Sequence, residues 1–89
     1  MPRYVIEREI PGAGKLSPAE LRAISQKSVG IVTEIGSGLQ WLESFVVDDK
    51  IYCIYESPNT QLIHEHARCM GIPAVPFEVR AVIGPRTAE

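Results

Sequence analysis

The sequence lacks a long apolar run, a surplus of one charge sign and a cysteine framework. No apolar stretch approaches the ~20 residues that cross a bilayer, so we expect no membrane partner. Nine basic and eleven acidic residues nearly balance, without a basic cluster, which argues against nucleic acid as the main partner. Cys53 and Cys69 form no C-x-x-C pair, and we interpret both as reduced thiols that fill the core.

The chain has 89 residues, which favours one domain over 1–89, with a loose tail from about residue 84. A chain of this size buries only about 60–65% of its unfolded surface, so a second copy would stabilise it. The start of the chain carries no apolar region of signal-peptide length, and cytoplasm is the expected location.

The first helix has a complete start signal. Ser17 is a capping residue, Pro18 suits the first helical position, and Glu20 completes a capping box. Apolar residues then recur at helical spacing until Gly36, which is a typical residue after a helix end. Gly30, inside this helix, predicts a close approach to a strand because glycine is costly there without such a reason.

The second helix is predicted from the Ser57-Pro58 signal to Met70, with Gly71 after its end. Its side chains at i, i+3, i+4 and i+7 spacing form one stripe that should face the sheet. The members of this stripe are Leu62, Ile63, His66, Ala67 and Met70.

Four strands are predicted, at 3–10, 39–47, 50–56 and 77–83, and Asp48-Asp49 forms a hairpin turn between the second and third. The order β-α-β-β-α-β is the split βαβ pattern of the ferredoxin-like fold. We therefore expect an α+β sandwich in which a four-stranded antiparallel sheet carries two helices on one face.

The middle strands carry apolar side chains on both faces, whereas a strand buried on one face alternates apolar with polar residues. By simple alternation, Trp41 and Phe45 share one face, and Leu42 and Val46 share the other. A second copy that packs sheet against sheet is the simplest cover for the face without helices. This pattern predicts a homodimer of the dimeric α+β barrel type.

The glycines before the first helix do not form a phosphate-binding loop. Relative to Gly14-Lys15, that motif needs a glycine at position 9, where Glu9 stands, and a hydroxyl after the lysine, where Leu16 stands. These glycines are interpreted as turn residues.

The two histidines have different environments in the predicted second helix. His64 and His66 point about 200° apart, so they cannot chelate one metal from the same chain. His64 is expected in solvent, while His66 lies on the stripe that faces the sheet. A core histidine with one hydrogen bond is one interpretation of His66, and a metal ligand or general base is the other.

Glu7 lies in the first strand, which is central in this fold, and charges there are seldom fully buried unless they are paired. Arg8 points to the opposite face and cannot pair with it directly. Arg80, His66 or a metal ion are candidate partners, and a solvated position near the sheet end is the alternative.

Three groups of residues occur together along the chain: Val5-Ile-Glu-Arg8 with Pro11-Gly after it, Asp49–Tyr55, and His66-Ala67 with Gly71-Ile-Pro-Ala74 downstream. In these segments the chain resembles a family of short bacterial proteins that includes a nickel-binding protein with a ferredoxin-like fold. The resemblance implies a dimer that binds nickel(II). Because imidazole and carboxylate suit nickel(II), His66 and Glu7 are the candidate ligands, with His64 as a surface or dimer-bridging ligand.

Three hypotheses follow. The first is a homodimer that holds a divalent metal ion, nickel(II), for storage, buffering or delivery. The second is a small-molecule enzyme or binding protein in which His66 is the acid or base, Glu7 its orienting partner and Tyr55 a donor. The third is an interaction module without a ligand, which explains Glu7 least well. The first, in which the protein is not an enzyme, is preferred.

Overall fold

The computed structural model describes all 89 residues and contains four strands and two helices. The elements are β1 (Arg3–Glu9), α1 (Pro18–Ile35), β2 (Gln40–Val46), β3 (Lys50–Glu56), α2 (Thr60–Met70) and β4 (Val75–Glu78). Short 3-10 turns lie at Ala13–Lys15 and Pro85–Ala88. The strand order is β2-β3-β1-β4, and every neighbouring pair is antiparallel. This confirms the predicted ferredoxin-like α+β fold.

Both helices begin with a side-chain cap. In α1 the predicted capping box is present, since Ser17 Oγ accepts from Glu20 N at 3.1 Å and Glu20 Oε1 accepts from Ser17 N at 2.9 Å. The α2 cap is Asn59, whose Oδ1 accepts from Leu62 N at 3.1 Å. The prediction of Ser57 as the cap was wrong, because its hydroxyl donates to the Asn59 carbonyl and its backbone N–H donates to Pro2 O.

The core lies between the helices and one face of the sheet. Every second residue of the two central strands is buried there, and α2 supplies its predicted stripe. The central members are Tyr4, Ile6, Ile51, Cys53, Tyr55 and Ile63. Cys69, in contrast to its expected role in the core, is exposed. Neither helix is long and apolar enough to cross a membrane.

A β-bulge in β2 changes which side chains share a face. Trp41 is opposite Tyr55, but Glu43 is already opposite Ile54, so one extra residue is inserted between them. Trp41 therefore faces the helices, while Phe45, opposite Tyr52, faces away from them. The expectation that Trp41 and Phe45 share a face was wrong, because an inserted residue reverses the alternation after it.

Strand β4 covers Val75–Glu78 rather than the predicted 77–83. It pairs with β1, where Glu78 is opposite Tyr4, and Val79 N donates to Arg3 O at 2.8 Å. Because β1 begins at Arg3, the residues after 79 have no strand to pair with. Val82 and Ile83 are accordingly exposed.

Candidate functional site

Four polar side chains meet in the interior between the sheet and the helices. Arg8 comes from β1, Ser28 from α1, Tyr55 from β3 and His66 from α2, and each is at most 5% exposed. We call them the buried polar cluster. Four elements that are distant in sequence each supply one member, so the folded sheet-and-helix sandwich is what assembles the cluster.

The local sequence explains each position. Arg8 follows Tyr4 and Ile6 at two-residue spacing, which places it on the helix side of β1. His66 lies one turn after Ile63 on the stripe of α2 that faces the sheet. Ser28 is the one buried residue of α1, and its small side chain leaves room for the imidazole.

The hydrogen bonds define the tautomer of His66. Its Nδ1 lies 3.5 Å from Arg8 Nη2, which can only donate, so Nδ1 is the acceptor. The ring proton of the neutral imidazole is therefore on Nε2, which lies 3.0 Å from Ser28 Oγ and 3.4 Å from Tyr55 Oη. Ser28 Oγ and Tyr55 Oη are themselves 3.3 Å apart. Neither ring nitrogen offers a free lone pair to a metal ion.

Burial and charge keep the cluster in defined protonation states. Desolvation and, second, the positive charge of Arg8 lower the pKa of His66 to about 4, so the ring is neutral at pH 7. Desolvation also raises the pKa of Tyr55, which keeps its hydroxyl protonated. At neutral pH the guanidinium of Arg8 is thus the single charge of the cluster.

Arg8 is 2% exposed, and no carboxylate pairs with it. Its Nε donates to Cys53 Sγ at 3.4 Å, and its Nη1 donates to Pro73 O at 3.0 Å. With the contact to His66 Nδ1, three of the five guanidinium N–H groups have acceptors. A buried charge without a counter-charge is unusual, because charged groups are rarely buried unless they are paired.

A cavity of about 70 Å³ adjoins the buried polar cluster. All four cluster residues and Cys53 are among its lining residues, and apolar side chains of both helices and the sheet form most of the wall. Trp41 is part of that wall and donates through its indole N–H to Ser44 Oγ at 2.9 Å. The space can therefore hold a small and mainly apolar molecule next to the cluster.

Glu7 lies on the opposite face of the sheet from His66. Its Oε2 is 3.4 Å from Lys50 Nζ and 3.3 Å from Tyr52 Oη, and the carboxylate raises the pKa of Lys50. Glu7 contacts neither of its two candidate protein partners, Arg80 and His66. Arg80 instead lies 3.4 Å from Glu78. The Glu7 side chain is 34% exposed, so solvent also reaches it.

The three candidate metal ligands do not come together within one chain. His64 is exposed on α2, His66 is buried beneath the same helix, and Glu7 is on the far side of the sheet. No group of three or more histidine, cysteine, aspartate or glutamate side chains is close enough to hold a metal ion. One protomer by itself therefore offers no preformed nickel site.

Sequence reasoning found His66 and Tyr55 but did not assign Arg8 or Ser28 to the site. The signal for Arg8 was its two-residue spacing from Ile6 and Tyr4 in a central strand. This spacing puts all three side chains on the same side of the strand, so the arginine lies in the core. The signal for Ser28 was its place on the apolar stripe of α1, where a serine leaves a gap.

Comparison with known proteins agrees with this architecture. The model of the family described as "Nickel responsive protein SCO4226-like" matches residues 4–76. The chain belongs to the SCO4226-like family. The crystal structure of SCO4226 from Streptomyces coelicolor A3(2) superposes with a TM-score of 0.73 at 15% identity, covering 91% of this chain and 99% of that one. No curated protein sequence matches the chain.

Membership of the SCO4226-like family connects the chain to nickel, since the family is named for a nickel response. At 15% identity the superposition shows the shared fold alone. The family match includes every member of the buried polar cluster, and both Glu7 and His64.

Proposed function

We propose that this SCO4226-like protein is a homodimer that binds nickel(II) for storage, buffering or delivery. The observation that carries the proposal is membership of a nickel responsive family. The position of Glu7 supports it, because this carboxylate lies on the sheet face without helices and is partly open to solvent. Carboxylate oxygen is an acceptable ligand for nickel(II).

The same face supports the homodimer. Phe45, Val75 and Phe77 project from it and are each about half exposed, and Ile54 and Val5 lie between them. An apolar sheet face of this kind is normally covered, and a second copy would cover it sheet against sheet. The Glu7 carboxylates of the two copies would then lie in one interface, where a metal ion could bridge them.

Among the three candidate ligands, Glu7 and His64 are accessible and His66 is not. A nickel ion at His66 would be buried next to the charged Arg8. Loss of hydration and repulsion by the guanidinium both disfavour nickel binding there. We therefore propose Glu7 as the ligand for the bound nickel, with His64 as a weaker surface site.

Nickel binding to untagged protein tests this proposal. After loading and desalting, the wild-type protein should retain stoichiometric nickel, measured by elemental analysis. Glu7→Gln, which keeps the size and removes the charge, should weaken binding at least tenfold, which corresponds to about 1.4 kcal/mol. His64→Ala and His66→Gln serve as controls and should retain the nickel that survives desalting, because a weak surface site at His64 loses its metal in that step. Full retention by Glu7→Gln would rule out Glu7, and loss in His66→Gln would place the ion in the interior.

A second function is favoured by the cavity beside the buried polar cluster: binding of a small molecule between sheet and helices. Tyr55 and His66 line this space together, as the alternative hypothesis required, but Glu7 does not orient the imidazole. A base with a pKa of about 4 is weak at neutral pH. The site is therefore proposed for binding and not for acid–base catalysis.

A further inference from the structure

The buried polar cluster has more hydrogen-bond donors than acceptors. Three of the five N–H groups of Arg8 donate to Cys53, Pro73 and His66, and a further contact with the Tyr55 hydroxyl leaves at least one N–H group without an acceptor. The guanidinium also carries a full charge that no carboxylate neutralises. Arg8 thus offers an unneutralised charge and a free donor beside a partly open cavity.

The hydroxyl groups add to this surplus. Three polar groups that are in mutual contact each carry a proton to donate: His66 Nε2–H, Ser28 O–H and Tyr55 O–H. Since Nε2 carries the ring proton, only the two hydroxyl oxygens can accept, and the Ser28–Tyr55 contact uses one hydroxyl proton. The other hydroxyl proton is left without an acceptor in the cluster, and Ser28 and Tyr55 both line the cavity.

We propose that the cavity binds the carboxylate of a small aliphatic acid, with Arg8 as its counter-ion and a hydroxyl of Ser28 or Tyr55 as a second donor. The inference rests on the second function above and names its ligand class. Carboxylate oxygens accept several hydrogen bonds and supply the negative charge that Arg8 lacks. A metal cation at the same place would be repelled by the guanidinium.

The rest of the cavity determines the size and character of the acid. A water-sized probe occupies ~10–15 Å³, so 70 Å³ admits about five to seven such groups. This suits a chain of about three carbons, and excludes a bulky or aromatic acid. Side chains such as Leu21, Ile24 and Ile51 line the remaining space, and they favour an alkyl tail over the many oxygens of a phosphate.

Propionate is the probe, and propionamide is its neutral counterpart of the same shape. Trp41 is the only tryptophan and lies on the cavity wall, so its fluorescence reports entry of a ligand. We expect saturable binding of propionate with a Kd on the order of 1 mM, and at least tenfold weaker binding of propionamide, at constant ionic strength. Inorganic phosphate should not compete.

Arg8→Met tests the counter-ion, because methionine fills a similar apolar volume without charge. This variant should lose the preference for propionate over propionamide, while Arg22→Met, which removes an exposed arginine of α1, should keep it. If Arg8→Met does not fold, the comparison of propionate with propionamide in the wild-type protein still decides the matter.

Each outcome of these titrations has a distinct meaning. Equal binding of propionate and propionamide would overturn the anion site but keep a small-molecule cavity. Absence of binding by both probes would overturn the anion site and the cavity function together. Propionate binding retained in Arg8→Met would place the anion elsewhere. None of these titrations contains nickel, so their results neither support nor contradict the proposed nickel site.

Discussion

The neutral imidazole of His66 makes the stability of this protein depend on pH. In the unfolded chain a histidine has a pKa of about 6.5, while in the folded protein the pKa of His66 is about 4. As the pH falls below the pKa of the unfolded chain, this histidine takes up a proton in the unfolded state but stays neutral in the folded state. The folded state therefore loses stability between pH 6.5 and 4, and the loss ends below the folded pKa.

From pH 7 to pH 5 this effect should lower the free energy of unfolding by about 2 kcal/mol, which urea titrations at the two values would measure. In His66→Gln, which cannot titrate, most of this decrease should disappear. His64→Ala is the matched control and should show the decrease of the wild-type protein, because it removes an exposed histidine of the same helix and leaves the buried imidazole in place. An equal decrease in all three proteins would show that other groups cause it.

The orientation of the site residues followed from two simple periodicities. Helical spacing placed His66 toward the sheet, and strand alternation placed Arg8 and Glu7 on opposite faces. What these rules could not supply was the partner of each group. Whether Glu7 meets Lys50 or a distant arginine depends on the register between β1 and β3, which is a property of the folded sheet.

Among the elements, the 3-10 turn after β1 depends on a glycine for its contact with the β2–β3 hairpin. A Cβ added at Gly14 would lie 2.9 Å from Val47 O and 3.1 Å from Asp48 Cα, which are both backbone atoms. Gly14 N also donates to Asp48 O at 2.9 Å, so the two segments cannot easily separate. Gly14→Ala should lower the free energy of unfolding by about 1–3 kcal/mol in urea titrations.

Gly30 provides the matched control. Its added Cβ would meet nothing within 4 Å, so the expected approach to a strand is absent. Because alanine is the better helix former, Gly30→Ala in α1 should stabilise the protein by up to about 1 kcal/mol. A destabilising Gly30→Ala, or a neutral Gly14→Ala, would contradict this account of the two glycines.

Local chemistry predicted where most elements begin and end, but not how β2 and β4 pair. The capping box of α1 and the glycines after both helices are local signals, and all are found in the structure. The bulge beside Trp41 has no such signal, because it depends on how β2 matches β3. The alternating residues 79–83 look like a strand, yet β1 begins at Arg3 and has no residues opposite those after 79.

At the scale of the whole molecule, the sheet face without helices is the surface that the proposed homodimer needs. This face carries apolar side chains on all four strands, yet Glu7 with Lys50 and Arg3 with Glu56 form ion pairs across it. Charged groups that already have partners can enter an interface at lower cost than unpaired ones. Glu7 and Glu56 can therefore enter such an interface with partners, whereas Glu9 and Glu43 on the same face have no ion pair within the chain.

A charge placed on that face should separate the copies. Phe45→Lys introduces an ammonium group where a sheet-to-sheet interface would bury it, and an unpaired buried charge costs several kcal/mol. In sedimentation velocity we expect the wild-type protein at twice its 9.8 kDa chain mass and Phe45→Lys at the mass of one chain. Val29→Lys is the matched control, because Val29 is similarly exposed but lies on α1, on the other side of the sheet. A Phe45→Lys protein that stays dimeric would move the interface to another surface, and a monomeric wild-type protein would leave Glu7 without the second carboxylate that a shared nickel ion requires.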